Sequence, residues 1–146
     1  MGVLAFGFAT SASAANKFQP IHTKFTATGP ISLTQNGTTL NCAVKFRGAT
    51  STTGREGRII AANFSGSGGC AAVKATALPW KAEPGISLST IKIEQVSLFS
   101  PHGLCGPDPV QATLSGGAIS FNSTLIPGNC QFSGSLTTSP TITIVP

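Results

Sequence analysis

The sequence has no Tyr, one Trp and few charged residues. Charged side chains make up 9% of it, against roughly 25% in an average soluble domain. Its only acidic residues are Glu56, Glu83, Glu94 and Asp108, and its only histidines are His22 and His102. General acid–base catalysis needs titratable groups placed together. Six such residues scattered along the chain therefore argue against an enzyme.

Long apolar runs and helical periodicity are also missing. No run of 18 apolar residues occurs, so no transmembrane segment is predicted. No window of eleven or more residues repeats its apolar positions at the helical period of 3.6. The hydrophobic share of 40% and the net charge of +5 are not typical of a disordered chain. At 146 residues, the length suits one domain.

Short alternating runs between turn residues dominate what is present. The chain has 16 Ser, 18 Thr, 17 Gly and 10 Pro. Leu40, Cys42, Val44 and Phe46 alternate with polar or small residues, the period of a half-buried strand. Asn36-Gly37 is a strong hairpin turn. About nine strands, at spacings of about 8–14 residues, predict an all-β, antiparallel β-sandwich.

The expected strand boundaries follow from Gly, Pro and changes of phase. Gly29-Pro30 is expected to end one strand, and residues 73–80 to form a weak strand that ends near Trp80. In residues 86–99 the apolar face changes sides, which predicts a β-bulge near Glu94-Gln95. Residues 100–109 are expected to form a loop. The chain is expected to end in an extended tail.

The amino terminus is typical of a secretory signal. Residues 3–10 are apolar, and Ala12-Ser13-Ala14 supplies the small residues that precede a cleavage site. No Lys or Arg precedes the apolar run, so the basic start of the signal is expected upstream of Met1. Residues 1–14 are thus predicted to be a signal peptide and residues 15–146 a single β domain. We expect a secreted protein, extracellular or on the cell surface, that passes through the periplasm.

Four cysteines fit an oxidising compartment. Cys42, Cys70, Cys105 and Cys130 predict two intrachain disulfides. The sequence allows three pairings. The midpoint between Cys42 and Cys70 falls in the expected turn before Arg58, and that between Cys105 and Cys130 falls beside Gly116-Gly117. Symmetry about these turns favours Cys42–Cys70 with Cys105–Cys130. Wide spacing argues against zinc, and neither a metal nor a cofactor is predicted.

Five further residues are candidates for an interaction surface. Lys45, Arg47, Arg55 and Arg58 are expected near one hairpin tip, where they would meet phosphate, anionic lipid or acidic polysaccharide, or only solubilise the turn. The basic excess is too weak to predict nucleic-acid binding. Trp80 is a candidate for sugar stacking. A lone Trp without Tyr is more typical of a core.

A catalytic triad has little support in the sequence. Ser100, His102 and Asp108 flank Cys105 in a segment rich in Pro and Gly. A serine nucleophile usually sits on a Gly-x-Ser-x-Gly turn, which this segment lacks. A solvated disulfide loop is the favoured interpretation.

Several segments resemble those of one family of small exported bacterial proteins. They are Phe25-Thr26-Ala27-Thr28-Gly29-Pro30, Ser32-Leu33-Thr34, Leu40-Asn41-Cys42, Leu78-Pro79-Trp80, Cys130-Gln131-Phe132-Ser133-Gly134-Ser135-Leu136 and Pro140-Thr141-Ile142-Thr143. The family is the protein activator of alkane oxidation (PraB-like) family. The resemblance implies a β protein, extracellular or at the cell surface, that assists growth on hydrophobic substrates and is linked to biofilm. It implies no catalytic residues.

Three functions remain open from the sequence. The first is a non-enzymatic surface protein at hydrophobic or biofilm interfaces, with cell-surface or biofilm components as partners. The second is a self-assembling structural subunit, in which the segment after the signal or the tail 140–146 adds a strand to a second copy. The third and weakest is a carbohydrate-binding module.

Overall fold

A computed structural model describes residues 15–146, so the predicted signal segment 1–14 lies outside the described residues. Helical structure in this part is one three-residue 3-10 turn, Cys70–Ala72. The remaining regular elements are the strands β1 (Lys17–Gln19), β2 (Lys24–Gln35), β3 (Thr38–Thr50), β4 (Gly57–Ser65), β5 (Lys74–Ala75), β6 (Trp80–Pro84), β7 (Thr90–Ser100), β8 (Gly103–Ser115), β9 (Ala118–Ile126), β10 (Cys130–Ser139) and β11 (Thr143–Val145). The all-β class is confirmed.

Eight strands close into an antiparallel barrel, not the plain sandwich expected from the sequence. Their order is β7, β6, β4, β3, β2, β10, β9 and β8, and β8 pairs back onto β7. β5 adds one short extra strand to β7, and β1 pairs with β11 in a separate two-stranded sheet. Within the described chain no helix is long and apolar enough to cross a membrane.

The sheet is a barrel and not a sandwich because two short strand pairings, which we call seams, join what would otherwise be two separate sheets. Gly57–Ile59 of β4 pairs with Trp80–Ala82 of β6, and Thr113–Ser115 of β8 pairs with Ala118–Ser120 of β9. The β2–β3 ladder, in contrast, runs along all of β2. A sandwich and a barrel both bury one face of each strand, so alternation of apolar residues does not distinguish them. Three-residue seams leave no separate mark in the sequence.

Three local expectations are also corrected. β2 continues through Gly29-Pro30, because the β2–β10 ladder is interrupted there and Pro30 has no ladder bond to donate. Residues 100–109 are not a loop, because most of them belong to β8, which pairs with β7. Trp80 begins β6 and does not end a strand. The bulge near Glu94-Gln95 is confirmed by register shifts after Ile93 and Val96.

The first and last strands of the described residues close one mouth of the barrel. β1 and β11 form what we call the terminal clasp, in which Phe18 pairs with Ile144. Phe18, Ile142 and Ile144 are all buried. Phe18 and Ile142 line, with barrel residues, a cavity of only about 20 Å³. The tail is therefore extended, as expected, but it packs onto its own barrel.

Candidate functional site

Both disulfides lie at the barrel end opposite the terminal clasp, which we call the disulfide end. The two predicted disulfides are present. Cys42 on β3 is joined to Cys70, with 5.6 Å between their Cα atoms, and Cys105 on β8 is joined to Cys130 on β10, with 5.8 Å. The second disulfide reaches past β9, so it does not simply close the β8–β9 hairpin. Together the two disulfides connect parts of the barrel wall at the end that the hydrogen bonds of the seams do not reach.

A buried amide also connects the disulfide end. Gln35, at the end of β2, is 2% exposed. It accepts a hydrogen bond from the Ser100 hydroxyl, and its Nε2 donates to the carbonyl oxygens of His102 and Gly128 at 3.4 and 3.3 Å. Sequence reasoning missed Gln35, because a polar residue at a strand end usually indicates solvent exposure.

Large apolar side chains are exposed on the outer surface of the disulfide end. Phe99 on β7 and Leu104 on β8 are direct cross-strand partners, and Leu125 on β9 lies beside the same end. Their exposed fractions are 52%, 42% and 69%. We call these three residues the apolar rim. Exposed prolines continue its surface at Pro101, Pro107 and Pro127.

The backbone under the apolar rim is held by several covalent and polar contacts. Leu104 directly precedes the disulfide-bonded Cys105. The Gly106 N–H donates to the Pro127 carbonyl oxygen at 2.9 Å, and Gly128 approaches the Leu104 carbonyl so closely that a Cβ there would clash. The rim is thus fixed on strands and does not lie on a free loop.

The residues considered for a triad are arranged differently from one. The Ser100 hydroxyl donates to Gln35 and accepts from the backbone N–H of His102 at 3.0 Å. Asp108 lies opposite Val96 in the β7–β8 ladder. Among the hydrogen bonds of residues 15–146, none joins the His102 imidazole to Ser100 or Asp108.

The four clustered cations separate into different environments. Lys45 and Arg47 both lie on the exposed outer face of β3, with the buried Phe46 between them. Arg55 lies in the turn before β4. Arg58 lies 4.0 Å from Glu56, in a network where Lys81 contacts Glu56 at 3.5 Å and Glu83 at 3.0 Å. The hydrogen bond from Lys81 to Glu83 raises the pKa of that lysine. Arg58 thus belongs to an ion-pair network, and Lys45 and Arg47 do not.

Trp80 lies in the core, so its candidacy for an interaction surface was wrong. It is 2% exposed, and its ring meets Phe46 edge-on with 5.9 Å between centroids. Its indole Nε1 donates to the Thr76 carbonyl oxygen at 2.8 Å. The core position that the sequence favoured for this lone Trp is confirmed. Sugar stacking on Trp80 is excluded by its burial.

Comparison with protein families gives one match over the full sequence. The family described as alkane oxidation protein activator PraA/PraB-like matches residues 1–146. The chain belongs to this family. The resemblance seen in the sequence motifs is therefore confirmed. The name of the family describes an activator, which is consistent with a role other than catalysis. Neither the curated proteins nor the solved structures include a match.

The barrel interior of this PraA/PraB-like protein leaves little space for a small-molecule ligand. The cavity between Phe46, Trp80 and Phe121 measures only about 30 Å³ and is lined by apolar side chains. One water occupies roughly that volume in the liquid, whereas sites for small molecules usually measure about 300–1,000 Å³. The interior is therefore a packed core without room for a ligand of that size.

The outer wall formed by β9 and β10 carries no charged residue. No charged residue follows Asp108 in the sequence, so β9, β10 and β11 have none. Exposed hydroxyl groups pair across neighbouring strands, Thr34 with Thr39 at 2.8 Å on β2–β3 and Ser120 with Ser135 at 3.1 Å on β9–β10.

Proposed function

We propose that this PraA/PraB-like protein is a secreted, non-enzymatic surface protein that assists alkane oxidation by acting at hydrophobic or biofilm interfaces. The observation that carries the proposal is the apolar rim of Phe99, Leu104 and Leu125, exposed on a barrel whose interior is filled. Such a protein does not enclose an alkane molecule. It adsorbs to the boundary between hydrocarbon and water.

The energetics favour adsorption through the rim. Burying a Leu or Phe side chain fully is worth about 1.5–3 kcal/mol, and each rim residue has roughly half of its surface still exposed. Removing this surface from water would therefore supply about 1 kcal/mol per residue. The rim backbone is already ordered by the Cys105–Cys130 disulfide, so little conformational entropy is lost on adsorption.

The assembly alternative has less support. It requires that the amino-terminal segment or the tail be available for a second copy. β1 and β11 pair with each other, and Ile142 and Ile144 are buried against the barrel. A donated strand would have to leave this site first. Interface adsorption needs no such rearrangement.

Pendant-drop tensiometry with hexadecane tests the proposal. The variant Phe99→Ser, Leu104→Ser, Leu125→Ser should require about tenfold more protein, or more, for the same fall in interfacial tension. Its matched control is Ile86→Ser, Leu88→Ser, since these residues are exposed in the β6–β7 loop. Both variants should remain folded at the temperature of the measurement, because none of the replaced side chains is buried in the core.

Two results would contradict the proposal. An equal loss in the control variant would show that adsorption does not depend on the rim. Failure of the wild-type protein to lower the tension would exclude a hydrocarbon interface. Secretion is tested separately by sequencing the amino terminus of protein from the culture medium. We expect it to begin at Ala15.

A further inference from the structure

A second surface lies away from the apolar rim, on the outer face of β2, β3 and β4. Two adjoining depressions occur there, with volumes of about 690 and 380 Å³. Lys45 and Asn63 line the first, and Lys24, Arg47 and Ser139 line the second. We call these five residues the basic groove.

Strand geometry places the two depressions next to each other. Lys45 and Arg47 are two residues apart on one face of β3, so their Cα atoms are separated by about 7 Å along the strand. Their cross-strand neighbours are short: Thr28 lies opposite Lys45, and Thr26 opposite Arg47. The two long cationic side chains therefore rise above a low floor of hydroxyl and methyl groups.

The cations of the basic groove have no anionic partner in the described chain. Each ion pair of residues 15–146 involves Arg58, Lys81 or Lys92. No acidic residue lines either depression. Lys24, Lys45 and Arg47 thus present three uncompensated positive charges along one groove, beside the amide of Asn63.

We propose that the basic groove binds a chain of an acidic polysaccharide, in which the sugars carry carboxylate groups. The cations match carboxylates repeated along a chain, and the polar groups of Asn63 and Ser139 suit sugar hydroxyls. Ile60, 57% exposed at the groove, offers an apolar contact for a sugar ring. This site is distinct from Trp80 and from the apolar rim, so it adds a ligand to interface adsorption.

Two other polyanions fit the groove less well. Nucleic-acid channels combine cations with exposed aromatic side chains that stack on bases, and no exposed aromatic residue lines this groove. An anionic membrane is contacted by a protruding face with cations around an apolar surface. Here the cations line a depression, which suits a single polymer chain.

Fluorescence anisotropy with a labelled oligogalacturonate tests the site. We expect the wild-type protein to bind it at low salt and more weakly at physiological salt, and not to bind a labelled dextran of similar length. Lys45→Gln, Arg47→Gln should weaken binding about fivefold or more. Arg55→Gln, Lys74→Gln is the matched control, because it removes the same net charge from exposed positions outside the groove. It should change binding less than about twofold.

Several outcomes would overturn this inference. One is no binding of oligogalacturonate by the wild-type protein. Another is an equal loss in both double variants, which would mean that only net charge matters. Equal or tighter binding of labelled oligothymidylate or of phosphatidylglycerol vesicles through Lys45 and Arg47 would assign the groove to a different polyanion. None of these results bears on hexadecane adsorption, so the two proposals fail independently.

Discussion

Gln35 and Ser100, 65 residues apart in the sequence, are hydrogen bonded across the disulfide end, with the Ser100 hydroxyl as donor. The same amide donates to the carbonyl oxygens of His102 and Gly128. One buried side chain thus connects β2, the β7–β8 hairpin and the β9–β10 turn. Its contacts and the two disulfides hold together the region that the seams leave open.

Replacing Gln35 with Leu should destabilise the protein by about 1–3 kcal/mol. The substitution leaves the Ser100 hydroxyl and two carbonyl groups without their buried partner, which costs their desolvation energy. Chemical denaturation followed by Trp80 fluorescence measures the change. Gln111→Leu is the control, since Gln111 is exposed on β8, and it should stay within about 0.5 kcal/mol of wild type. Similar losses in both variants would show that Gln35 does not act through its buried contacts.

Removing either disulfide should destabilise the barrel by about 3 kcal/mol, since the two cross-links close loops of 28 and 25 residues. We expect Cys42→Ser, Cys70→Ser and Cys105→Ser, Cys130→Ser to lower the denaturant midpoint by similar amounts. The second pair should also increase hydrogen exchange in residues 103–106, where the rim is anchored. Unchanged hydrogen exchange at these residues would show that the Cys105–Cys130 disulfide is not what orders the rim backbone.

Trp80→Ala should cost about 3–5 kcal/mol, as expected for a large core side chain. Trp80→Phe should cost only about 1–2 kcal/mol, because the ring still packs on Phe46 and mainly the hydrogen bond to Thr76 is lost. Thermal denaturation by circular dichroism measures both. Unchanged melting in the Ala variant would contradict the buried position.

The sequence predicted those features that arise from neighbouring residues. Alternation gave the strands that contain Leu40–Phe46, the phase slip near Glu94-Gln95 gave the bulge, and turn symmetry favoured the cysteine pairs that the structure joins. The first two signals depend on a short segment, and the third depends on the position of the turn between two cysteines. They are local consequences of the pleat and of turn chemistry.

Features that depend on distant segments were not predictable in this way. Closure of the barrel depends on whether β4 meets β6 for three residues across the intervening 3-10 turn and β5, and the burial of Gln35 depends on a hairpin far along the chain. Residues 100–109 were mistaken for a loop, because Pro107 and Pro109 are unusual in a strand. The four basic residues were expected near one hairpin tip, but the strand register places Lys45 and Arg47 along the outer face of β3, apart from the ion-paired Arg58.

The terminal clasp gives the last prediction, which also tests assembly by strand donation. Gln19 on β1 and Thr143 on β11 are Cα partners, so Gln19→Cys, Thr143→Cys should form a disulfide within one chain. On a non-reducing gel we expect a single band at the monomer position, and Gln19→Cys alone should leave one reactive thiol.

The clasp should also contribute to stability, because Ile142 is buried and its N–H donates to the Thr138 hydroxyl at 2.9 Å. Ile142→Ala should cost about 2–5 kcal/mol, against less than about 0.5 kcal/mol for the exposed Ile86→Ala. Ile142→Ala as mild as its control would show that the tail does not pack onto a barrel, and a ladder of cross-linked chains from the double-cysteine variant would show that the tail is exchanged between copies. Strand donation would then replace interface adsorption as the favoured function, because the closed clasp is what argues against it.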